Sequence, residues 1–179
     1  MKKFLKFGCL PIVVLIVVII IIAMKSDSDF RKEKEAKKIT VEEYEKRVNQ
    51  ALTEMGDKTR LKILSSEEIE KNKYAIALSE TIVIFLEINE NKKIDKATVS
   101  VDPSVKLTNK KDFDIAFELL IGSADNDLTL GERTKLRRAL GLYSEETFNK
   151  KTVQVKNSNE ITFTFKGDPS SIFILEAKY

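Results

Sequence analysis

The chain has 179 residues, with 31 basic and 28 acidic side chains, a formal net charge of +3, one cysteine, and neither histidine nor tryptophan. Without histidine, and with Cys9 alone, the usual zinc ligand sets, an intrachain disulfide and any nucleophile that needs a histidine base are excluded. Residues 1–29 hold four of the basic and two of the acidic residues, so the rest carries +1, too near balance for the basic face of a nucleic-acid binder.

Phe7 to Met24 is a run of eighteen residues without a charge, and Ile12 to Ile22 are all Ile, Val or Leu. As a helix the run is about 27 Å long, close to the roughly 30 Å hydrocarbon core of a bilayer. Its branched core sums to about −3 to −7 kcal/mol on an insertion scale, so the expectation is a transmembrane anchor over residues 7–24 with the lipid bilayer as its partner. Pro11 falls in the first turn, where its missing N–H removes no hydrogen bond. A cleaved signal fits less well, because Ala23 is followed by Met24 and Lys25 rather than by a small-x-small site. Cys9 precedes the apolar run, the wrong order for lipid attachment. Lys2, Lys3 and Lys6 form a basic flank over residues 1–6, and only Lys25 follows the span closely. Arg31, Lys32, Lys34, Lys37 and Lys38 come later and pull the other way, but the nearest lysines favour an inside amino terminus and an extracytoplasmic carboxyl-terminal part.

Residues 25–39 are densely charged with both signs and read as a tether. Residues 40–179 are enough for one α+β domain with its own core. Thr40 and Glu43 fit a capping box, and Val41, Tyr44, Val48, Leu52 and Met55 keep helical spacing up to Gly56, which predicts a helix over 41–55. Short apolar runs then predict strands at 60–64, 74–78, 81–88 and 94–101, with a hairpin at Asn89 to Lys92. Val83 and Phe85 alternate with Ile82, Ile84 and Leu86, so this strand is expected to be central and covered on both faces, or nearly so. After Pro103 helical spacing returns at Phe113, Ala116, Phe117 and Leu120, predicting a helix over 110–122. A second helix opens at the Thr129–Glu132 capping box and ends at Gly141, so the two form a helical hairpin on the sheet. Three antiparallel strands are predicted at 151–156, 160–166 and 171–178.

Three groups of residues carry possible chemistry. Asp125, Asn126, Asp127 and Thr129 resemble the start of a calcium loop, but Leu130 and Leu136 stand where glycine and a bidentate carboxylate belong, so turn and cap roles are expected and no metal. Asp112, Asp114 and Glu118 share a helix, where acid–base work competes with plain helix-dipole stabilisation, and the dipole role is preferred. Arg133, Lys135, Arg137 and Arg138 are the most basic cluster and the candidate binding residues, on a helix without interleaved aromatics. No glycine-rich phosphate loop is present, and no cofactor is expected.

The reading is a membrane-anchored, non-enzymatic binding or accessory domain at the outer face of the cell membrane, engaging an envelope or membrane-protein partner. Two alternatives stay open: a membrane-tethered hydrolase or lyase working through carboxylates, and a cytoplasm-facing regulator that binds headgroups or nucleic acid through Arg133 to Arg138.

Overall fold

A computed structural model describes residue 35, residues 38–149 and residues 151–179, and residues 38–179 form a unit of their own. The apolar span 7–24 lies outside the described residues, among which no helix is long and apolar enough to cross a membrane.

Helix α1 (Val41–Met55) opens where Thr40 Oγ1 accepts the Glu43 N–H at 3.3 Å, and it stops at Gly56, whose φ of 50° is open to glycine at little steric cost. Its buried stripe is Val41, Tyr44, Val48 and Leu52, the expected one. Four strands follow: β1 (Ser65–Glu70), β2 (Lys73–Ala77), β3 (Ile82–Ile88) and β4 (Ile94–Val101). The strand expected at 60–64 is displaced to 65–70, because pairing with β2 carries a polar run, Ser-Ser-Glu-Glu-Ile-Glu, that is exposed throughout and occupies the sheet edge.

Three helices cross the molecule next. Asp102 caps the six-residue α2 (Pro103–Thr108) by accepting the Ser104 N–H at 2.8 Å, with proline in the first turn. Asn109 caps α3 (Lys110–Ala124), and Thr129 caps α4 (Leu130–Ala139). The chain then returns through a 3₁₀ turn at Glu145–Phe148 to β5 (Thr152–Lys156), β6 (Thr162–Lys166) and β7 (Phe173–Lys178).

All seven strands join one antiparallel sheet in the order β1-β2-β3-β4-β7-β6-β5. The carboxyl-terminal strand therefore lies beside β4 and ties the two meanders together. Every second residue points into the core: Ile82, Ile84 and Leu86 on β3, Ala97, Val99 and Val101 on β4, Phe173, Leu175 and Ala177 on β7. Over the β6–β7 end of the sheet, Phe113 and Phe117 of α3 meet Phe148, Phe165 and Phe173, with ring centroids 5.0–5.6 Å apart and mostly edge-to-face. Each such pair contributes about 0.5–1.5 kcal/mol beyond its buried area, so this cluster fixes α3 on the sheet.

Among the described residues the helices cover one face of the sheet. Contrary to the expectation for β3, its outer residues Val83, Phe85 and Glu87 face away from the core, and Phe85 is 37% exposed. An apolar run marks a strand that sits among neighbours, but it does not require a second covering layer.

Candidate functional site

The capping box at α4 sets the phase of that helix and so decides where its basic residues point. Thr129 N–H donates to Glu132 Oε2 at 2.8 Å, and Glu132 N–H donates to Thr129 Oγ1 at 3.3 Å. The hydrogen bonds from Thr129 hold the Glu132 carboxyl below its ordinary pKa. With this phase, Arg133 and Arg137, one turn apart, lie against α3, while Lys135 and Arg138 are exposed. The four-residue basic cluster expected from the sequence is thus divided. Lys135 borders a smaller hollow of about 230 Å³ beside the β5–β6 turn.

Arg133 and Arg137 are joined by Arg47 of α1. Together with residues of α3 they line a groove of about 400 Å³ between the three helices, within the size range of ligand sites. Arg133 Nε donates to the Leu128 carbonyl at 3.0 Å and Nη2 to the Asn126 carbonyl at 3.4 Å. The end of the guanidinium reaches over Gly122, where a Cβ would stand 2.8 Å from Nη1. Glycine near the end of a helix costs up to about 1 kcal/mol relative to alanine, and here it makes room for an arginine. Arg137 pairs with the Glu118 carboxylate, and its guanidinium carbon sits 4.8 Å from the Tyr143 ring centroid. Arg47 Nε donates to Glu43 at 3.3 Å and Nη1 to the Ser123 carbonyl at 3.2 Å.

Two donors in the groove lining have no acceptor: Arg137 Nε and the hydroxyl of Ser123, a residue only 2% exposed. Leaving such a group unpaired costs about 1–3 kcal/mol, and among the described residues Tyr44 Oη is the one other buried side-chain atom in this state. Burial pushes the Tyr44 phenol well above its usual pKa, and the nearby Tyr179 adds to the effect.

The remaining candidates have local partners. Asp125 is buried and accepts the Asn157 and Asn159 side-chain amides at 2.6 and 2.8 Å, tying the α3–α4 loop to the β5–β6 turn. Asn126 and Asp127 are exposed, and Thr129 serves as the cap. Among the described residues no cluster of three or more histidine, cysteine or acidic residues stands in a metal-holding arrangement. On α3, Asp112 accepts Thr59 Oγ1 at 2.6 Å and the Arg60 N–H at 3.2 Å, Asp114 pairs with Lys110, and Glu118 pairs with Arg137. These three carboxylates engage separate partners rather than each other.

Sequence reasoning missed Arg47, Gly122 and Ser123. Gly122 was the available signal, a glycine inside an otherwise apolar helical run, whereas Arg47 meets Ser123 across a separation of 76 residues. Comparison with known protein families, curated proteins and solved structures finds no match.

Proposed function

We propose that residues 38–179 form a non-catalytic binding or accessory domain, held by the 7–24 segment at the outer face of the membrane, where it engages an envelope or membrane-protein partner. The observation that carries the reading is the groove between α1, α3 and α4, into which two helices turn three arginines over an α3 floor. The uncharged eighteen-residue segment supports the tether on sequence grounds. A tether raises the local concentration of the domain near any partner in the same membrane, so a small groove with modest intrinsic affinity suffices. The alternative of a basic face laid on headgroups or nucleic acid draws less support, since Arg133 and Arg137 turn toward α3 and leave Lys135 and Arg138 on their own. The separate partners of Asp112, Asp114 and Glu118 likewise lend no support to a carboxylate-dependent enzyme.

The test is crosslinking of the full-length chain in native membranes beside a version lacking residues 1–28. A set of membrane-protein neighbours that is lost with the truncation supports the reading. Identical neighbours for both forms, or a domain accessible only from the cytoplasmic side, overturns it.

A further inference from the structure

We propose that β5 is a self-association edge, along which two copies of the chain join antiparallel, β5 to β5, about a two-fold axis at Gln154. No residue of β5 lines the groove, so the pairing does not depend on what the groove binds.

The hydrogen-bond phase of β5 sets what this edge offers. Gly167 N–H donates to the Lys151 carbonyl at 2.9 Å and Asn157 N–H to the Ile161 carbonyl at 3.0 Å, so bonded pairs bracket the strand at both ends. Bonded and non-bonded pairs alternate in an antiparallel ladder, which turns the backbone groups of Val153 and Val155 toward Phe165 and Phe163 of β6. Thr152, Gln154 and Lys156 therefore direct their N–H and C=O away from the sheet, and among the described residues no other backbone group bonds to them. A row of three donors and three acceptors is a template for another strand.

The two edges of the sheet are built differently. β1 carries Glu67, Glu68 and Glu70 and a register shift between Glu68 and Glu70, devices that keep an edge from pairing. β5 has an unbroken register and contains no proline and no acidic residue, and its one charge, Lys156, stands at the last position.

The sequence of β5 complements itself, and this selects a second copy. With Gln154 opposite Gln154 of the second copy, Thr152 lies opposite Lys156 and Val153 opposite Val155. All three outward residues of each copy then sit in bonded pairs, and every free N–H and C=O of the edge is satisfied. No like charges meet, since each Lys156 faces a threonine and each Lys151 faces Asn157. The valines, half-buried on the helix side, fall at non-bonded positions, where facing Cα atoms approach to about 4.5 Å and β-branched side chains touch. Val155 lines the 230 Å³ hollow with Leu128, Leu136 and Ala139, so a facing valine extends an apolar surface. On the open face each Gln154 amide gives one hydrogen to Thr164 Oγ1 at 3.2 Å and keeps its carbonyl oxygen and second hydrogen for its counterpart. The contact is isologous, and the protected β1 edge stops growth at two copies.

The experiment uses the full chain in mild detergent, with Cys9→Ser to remove its one native thiol. Val153→Cys and Val155→Cys are each oxidised alone and then as a mixture. Alone, the two thiols stand two residues out of register, about 7 Å apart along the strand and beyond disulfide reach, whereas in the mixture they face each other. A disulfide dimer from the mixture and none from either variant alone is expected. No dimer from the mixture, or equal dimer from all three samples, overturns the pairing. Sedimentation equilibrium supplies a second readout. Gln154→Pro deletes an N–H that serves no bond within one copy, at an edge position where proline is tolerated, so the melting midpoint should hold while self-association weakens about tenfold or more. Should that variant fold poorly, Gln154→Lys and Gln154→Glu are each expected to weaken association alone and to restore it when mixed. A parent that stays monomeric, or Gln154 variants that associate as the parent does, overturns the proposal. A membrane neighbour lost with Gln154→Pro while the purified chain stays monomeric overturns it in favour of a strand from a different protein.

Discussion

Replacing Asp112 by alanine separates two accounts of one residue. If this carboxylate only complemented the α3 dipole, its loss would cost about 0.3–1 kcal/mol. In the structure it is 5% exposed and accepts Thr59 Oγ1 at 2.6 Å, the Arg60 N–H at 3.2 Å and the Asn109 side-chain amide, so it clamps the α1–β1 connection to the start of α3. Hydrogen bonds to a charged acceptor contribute about 1.5–3 kcal/mol each. Thr59 and Asn109 are only half-buried, so water recovers part of that loss when the carboxylate is removed, and about 3 kcal/mol is the expected net cost. For a domain of this size that lowers the melting midpoint by about 6–12 °C. Asp112→Asn keeps one acceptor oxygen and should lose about half as much. The assay is thermal unfolding of the full chain in detergent, followed by near-ultraviolet circular dichroism. A midpoint for Asp112→Ala within about 2 °C of the parent would return the residue to a dipole role and refute the clamp.

Two further outcomes test the packing. A Cβ at Gly167 would stand 2.4 Å from the Thr147 carbonyl oxygen and 2.8 Å from Phe148 Cα, both backbone atoms, so Gly167→Ala should cost about 3 kcal/mol or more, read as a urea midpoint, and a neutral variant would contradict the close approach. The phenols of Tyr44 and Tyr179 are both raised by burial, so the stability from keeping them neutral is present below the ordinary value of 10.0 and is lost as pH climbs past it. Tyrosinate absorbance at high pH should therefore show these two of the four tyrosines ionising only as the domain opens, and their ionisation in a folded domain would refute their burial.

What the sequence made legible depends on how local the physics is. α1 and the start of α4 were readable because a threonine cap and a terminal glycine act within a few residues, and β3 because its core residues alternate without interruption, while β4 breaks that alternation once, at Asp95 and Lys96. β1 was displaced because an exposed edge strand needs no apolar residues, and α2 was overlooked because one buried residue, Val105, gives no period. The outer face of β3 misled for a different reason: Val83 and Phe85 pack sideways against Ala75, Ala77, Thr98 and Ser100 within the sheet, not against a second layer. Half of the candidate binding set turned into the groove and half did not, since spacing alone places Arg133 with Arg137 but cannot say which helix faces them. The third arginine, the glycine beneath Arg133 and the unpaired serine hydroxyl are joined by contacts between α1, α3 and α4, and no local pattern announces those.

The central claim, that the helical groove and not the open sheet face meets the partner, is tested by placing a photo-crosslinking residue at Gln50 on the groove or at Phe85 on the sheet in the full-length protein in cells. The account predicts a discrete membrane-protein adduct from position 50 that disappears with Arg137→Gln, and none from position 85. An adduct from position 85 alone, or one from position 50 that survives the loss of Arg137, would contradict it.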